Sequence, residues 1–137
     1  MKTKLKVSES FYKKIKKAED LIEYKVKDIL TEIADTAVTI SPVDTGAYVT
    51  SFSFTTGAGR PRGKSSEGRP RKQDESQMKS EGFNNLMSDI DKITDFKEVQ
   101  YISLTNASPH ASDVEYGGPR WKTGGYGVFA ELEDRYG

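Results

Sequence analysis

An apolar stripe in steps of three and four residues runs through Phe11, Ile15, Ala18, Ile22, Val26, Ile29, Ile33, Ala37 and Ile40, then stops at Ser41-Pro42. That spacing marks an amphipathic helix. Leu21, Leu30, Ala34 and Val38 widen the stripe in its second half, which makes that half the better buried one. Lys13, Lys14, Lys17, Glu19, Asp20, Glu23, Lys27 and Glu32 form the solvated face. Pro42 sets the end, because its ring disfavours the helical conformation at the residue before it. A helix over 9–40 would be about 48 Å long. A globule of 137 residues has a diameter of only about 37 Å. The sequence therefore predicts a helix that projects, kinks or lies along a neighbouring subunit.

The stop leads into a turn. Asp44 can fold its carboxylate onto nearby backbone N–H groups, and Gly46 can take a positive φ without steric penalty. From Ala47 the residues alternate, with Tyr48, Thr50, Phe52 and Phe54 on one face and Val49, Ser51 and Ser53 on the other. That alternation predicts a strand over 47–55.

Residues 57–80 carry almost no apolar side chain. Between Arg60 and Lys72, the six cations Arg60, Arg62, Lys64, Arg69, Arg71 and Lys72 stand against one acid, Glu67, and two Arg-Pro-Arg units, 60–62 and 69–71, form a short quasi-repeat. Such a stretch cannot bury enough surface to order itself and reads as a flexible basic loop inserted in the domain. A second helix is expected after Ser80, with Phe83, Leu86, Met87, Ile90 and Ile93 inward and Asp89, Asp91 and Asp95 outward. Residues 98–106 read as a strand, 111–116 as a short strand or helical turn, and the segment from Val128 as a short helix. The expected architecture is α+β: a single domain over 1–137, with the two helices on a small antiparallel sheet.

Composition narrows the chemistry. The chain has no cysteine, which excludes disulfides, thiol nucleophiles and cysteine-bound metal. Twenty-one basic residues balance twenty-one acidic ones, so no global field draws it to nucleic acid. No run is long and apolar enough for a membrane span, and the lysine-rich start leads into no signal-peptide core. The chain is expected to be soluble and made in the cytoplasm. The lone His110, near Asp113 and Glu115, falls short of the three or four convergent ligands a metal site needs. Ser108, His110 and Asp113 lack the framing of a catalytic triad. Gly63-Lys64-Ser65 lacks the first glycine of a phosphate loop. No enzyme, cofactor or metal is expected.

The turn Ser41-Pro42-Val43-Asp44-Thr45-Gly46, following a long helix, resembles a motif of the tail-completion, or neck, proteins of tailed bacteriophages. A second signature of that family is similar to Asn106-Ala107-Ser108-Pro109-His110-Ala111-Ser112-Asp113-Val114-Glu115-Tyr116-Gly117-Gly118. A third, small residues opening a final apolar helix, is similar to Gly124-Gly125-Tyr126-Gly127-Val128-Phe129. The three stand in the family's order across residues 10–135. The sequence departs in placing Ala47 where the family carries a basic residue, and in the length of its basic loop.

The resemblance implies a structural virion protein. It would form a ring of six-fold or twelve-fold order between the head connector and the tail, around the passage of the genome. Pro42, Asp44 and Gly46 would be the structural turn, and His110, Glu115, Tyr116 and Gly117 the second motif. Arg60, Arg62, Lys64, Arg69, Arg71 and Lys72 are candidates for contact with DNA or with a neighbouring subunit. The other reading is a small accessory protein that binds nucleic acid non-specifically through 60–72. That reading predicts affinity falling steeply with salt. The loop has no interleaved aromatics on which single-stranded bases would stack.

Overall fold

The computed structural model describes residues 3–6, 21–56, 60–63, 70–93, 96, 99, 101–118 and 124–137. They form three strands, β1 (Thr3–Lys6), β2 (Phe52–Thr56) and β3 (Ile102–Asn106). The four helices are α1 (Leu21–Ile40), α2 (Glu75–Asp91), α3 (Ala111–Tyr116) and α4 (Val128–Tyr136). The fold is α+β, as the sequence predicts. The sheet has the order β1-β3-β2 and is antiparallel throughout, with Phe52 opposite Asn106 and Leu5 opposite Leu104. β3 is the central strand and all five of its residues are buried.

The second half of the predicted long helix is α1. Val26, Leu30, Ile33, Ala34, Ala37 and Val38 are buried, in the stripe read from the sequence. They meet Phe52, Phe54, Leu86, Ile90, Phe129 and Leu132 in one core. At 20 residues, α1 is about 30 Å long and fits within the domain. The predicted stretch 9–20 lies outside the described residues.

Three expectations are corrected and one strand is added. The added strand is Thr3–Lys6, in the lysine-rich lead, which pairs with β3. Residues 46–50 are a helical turn, and the strand starts only at Phe52. The Thr50 N–H and hydroxyl both donate to the Gly46 carbonyl, and the Thr45 hydroxyl accepts from the Ala47 N–H. These local bonds offer the backbone an alternative to extension. The alternation over 47–50 is equally a helical i,i+4 pair, and Tyr48 meets Phe52 edge-on at 5.2 Å.

The other two corrections concern boundaries. α2 begins at Glu75, several residues before the predicted start, so the basic loop is shorter than 57–80. Asp74 caps the helix by accepting from the Gln77 N–H at 2.8 Å, and Met78 enters the core. The spacing Asp74-x-x-Gln77 is the sequence signal for that start. Gly82 then lies mid-helix, where its missing side chain lets α2 approach the 46–50 turn; a Cβ there would sit 2.2 Å from the Val49 carbonyl oxygen. The strand predicted over 98–106 begins at Ile102.

Candidate functional site

The turn after α1 is held by a clasp across the chain. Asp44 Oδ1 accepts from the Lys72 N–H at 2.9 Å, and Oδ2 from Arg71 Nε at 2.8 Å. The Asp44 carbonyl takes the Gln73 N–H at 2.7 Å. The carboxylate was expected to cap its own turn; it instead pins the returning end of the basic segment. Lys72 is bent to φ 61° at this contact, a conformation that non-glycine residues rarely adopt. Gly46 has φ 85° as predicted, and faces Met78.

The second motif is stitched to the first. Asn106 is fully buried; its Nδ2 donates to the Tyr48 carbonyl at 2.7 Å and its Oδ1 accepts from the Ser108 N–H at 2.9 Å. The Ala107 N–H reaches the Ser51 carbonyl at 3.1 Å. Glu115 is buried and spends both carboxylate oxygens on the first turn of α4, accepting from Phe129 N–H at 2.8 Å and Ala130 N–H at 3.1 Å. The positive helix end holds a carboxylate well. Glu115 is thus a cap and is not turned toward His110.

The third motif closes against α3. The Tyr126 N–H donates to the Val114 carbonyl and the Gly127 N–H to that of Glu115. A Cβ on Gly125 would lie 2.2 Å from the Glu115 carbonyl oxygen, so only glycine allows this approach. Gly117 ends α3 with φ 94°.

These contacts shape a cleft of about 680 Å³ between residues 42–48, Arg71 and Lys72 on one side and Ser108, His110, Val114 and Tyr126 on the other. All three motif segments contribute to it. Pro42, Asp44, Gly46 and His110 line it; Glu115, Tyr116 and Gly117 lie outside its lining, and Tyr116 is exposed. Tyr48 forms part of the lining, is 6% exposed, and its hydroxyl has no hydrogen-bond partner among the described residues. Burial, and then the nearby Glu115 carboxylate, push its phenol far above the ordinary value. Because that hydroxyl makes no bond, Tyr48→Phe is expected to change stability by less than about 1 kcal/mol. Denaturant titration checks this, and a larger loss would reveal a hidden partner.

The candidate cations divide. Arg71 and Lys72 reach the cleft. Arg62 does not: its guanidinium donates to the Phe52 and Asn85 carbonyls and pairs with Asp89. The Arg62 N–H also donates to Ser53 Oγ. It is therefore a brace on the β2 edge. Asp89, expected on a solvated acidic face, is the other half of that brace and accepts from the Phe54 N–H as well. Arg60 lines a separate small pocket of about 330 Å³ with Arg62, Asp89 and Lys92. Lys64, Arg69 and Asp95 lie outside the described residues. The braces at Arg62 and Asp89, the Asn106 stitch and the Glu115 cap escaped sequence reading because each joins residues far apart in the chain.

The Lys72 N–H and then the Arg71 guanidinium hold the Asp44 carboxyl below its ordinary value of 3.8. A depressed folded value stabilises the protein above the ordinary value, and that contribution fades as pH falls through the folded one. Wild type and Asp44→Asn should therefore differ in stability at neutral pH and converge toward about pH 2. The effect is small because Asp44 is half exposed. Denaturation of both proteins across that range checks it, and an undiminished difference in strong acid would reject the clasp.

No family model, curated protein or solved structure matches this chain. Among the described residues no helix is long and apolar enough to cross a membrane, and no cluster of three or more His, Asp or Glu could hold a metal ion.

Proposed function

We propose that this chain is a structural, ring-forming neck or tail-completion subunit at the head–tail interface of a tailed phage, surrounding the DNA passage. The observation that carries the reading is the convergence of three motif segments, 42–46, 106–118 and 124–129, on one cleft. A surface built from backbone stitches suits docking of a neighbour better than turnover of a substrate. The ring order, six or twelve, and the adjoining head-connector and tail proteins come from the resemblance alone.

The test is reconstruction of the assembled particle by electron microscopy. A symmetric ring of this chain between head and tail is the expected result, and a single copy, or its absence from the particle, rejects the reading. The competing nucleic-acid reading has less to work with once Arg62 braces the sheet and Arg71 pairs with Asp44. Arg60, Lys72 and Lys92 remain exposed, and a duplex shift by the lone chain that weakens steeply with salt would favour it.

A further inference from the structure

Acidic and basic residues balance in number, but the described surface separates them. Viewed down α1, Tyr24, Asp28, Glu32, Asp35 and Thr39 fall within an arc of about 80°, and all five are exposed. Tyr24, in the first turn described, is 74% exposed. Glu23 and Lys27 pair with each other at 3.2 Å. Asp28, Glu32 and Asp35 have no ion pair among the described residues; Lys25 stands at the rim of the arc, and Lys79 of α2 reaches its far end by donating to the Thr39 carbonyl at 2.7 Å.

The cleft has the opposite character. Its polar rim carries Arg71 and Lys72 against one acid, Asp44; Arg71 pairs with that acid, so the unbalanced positive charge lies on the exposed Lys72. Its lining includes Val43, Ala47, Val114 and Tyr48, whose buried hydroxyl lacks a partner. A tyrosine flanked by acids matches such a site, with an apolar ring for the lining and carboxylates for the rim.

The two surfaces do not meet in one chain. The cleft starts at Pro42, about 27 Å along the helix axis from Tyr24, and the acidic arc faces away from the core. We infer that the cleft of one copy receives the acidic face of α1 from a second copy, with Tyr24 seated in the cleft and its neighbouring acids against Lys72. The inference rests on the ring reading and names its interface. Because the two patches differ, one contact leaves each copy with an open patch, so the contact propagates head-to-tail into a closed ring or an open filament, and a dimer is the outcome only where both patches engage reciprocally about a two-fold axis.

The chain lacks cysteine, so introduced thiols report contacts without background. Tyr24→Cys and His110→Cys subunits, mixed under mild oxidation, should form an interchain disulfide, whereas Tyr24→Cys with Gly63→Cys should not. Lys72→Glu should weaken self-association about tenfold, and pairing it with Asp28→Lys subunits should restore it. Circular dichroism confirms that each variant folds, and sedimentation reads assembly. Oligomers that form without the Tyr24–His110 cross-link would overturn this interface and leave the ring reading standing. Subunits that neither cross-link nor associate would overturn the interface too, and a single copy in the particle would then remove the ring.

Discussion

Gly46→Val is expected to lower stability by about 3 kcal/mol or more, with a fall in melting temperature on the order of 10 °C. Two effects add. The backbone at φ 85° excludes a β-branched side chain, and a Cβ there would sit 2.3 Å from Met78 Sδ and 2.9 Å from its Cγ. Met78 is a flexible thioether and can yield in part, but the backbone strain stays. Gly63, with nothing within 4 Å of its would-be Cβ, is the control: Gly63→Ala should stay within about 0.5 kcal/mol. Thermal and denaturant melts of the pair decide the matter, and equal midpoints would show that the turn does not set the packing of α2 against residues 46–50.

Asp89→Ala is expected to destabilise the fold by about 2–3 kcal/mol. The Asp89 side chain is 10% exposed and that of Arg62 is 24% exposed. The substitution would leave a partly buried guanidinium without its counter-charge and the Phe54 N–H without its acceptor. The loss falls below that of a fully buried pair because Arg62 keeps some water. The same change would uncover the outer edge of β2, an invitation to intermolecular strand pairing. The double variant Asp89→Ala with Arg62→Met should recover much of the loss, since removing both charges spares the orphan. Denaturant midpoints test the pair, and light scattering tests the exposed edge. A neutral single variant would show that the brace contributes nothing.

Local chemistry was legible where one segment decides its own state. The α1 stripe, its stop at Pro42, the positive φ at Gly46 and the short terminal helix all follow from period, proline geometry and glycine freedom. The start of α2 was also legible in Asp74-x-x-Gln77, although the polar residues around it mask the signal. Residues 47–50 were ambiguous, because four residues of alternation fit a strand and a helical turn alike. Arg62 and Arg71 read as free cations because a sequence shows charge and not partners. Arg62 meets Asp89, Phe52 and Asn85, and Arg71 meets Asp44, all from distant parts of the chain.

The sequence by itself determined the α+β class, the buried face of α1, and which three segments to watch. Those properties depend on the order of neighbouring residues, within a few positions of one another. The tertiary structure alone decided that the three segments line one cleft, that Asp44 clasps residues 71–73, and that Glu115 caps α4 in place of facing His110. Each of these is a contact between groups 14 or more positions apart. Such contacts exist only once the core has brought α1, the sheet and α4 together, and no local propensity encodes which distant donor a buried acceptor will meet.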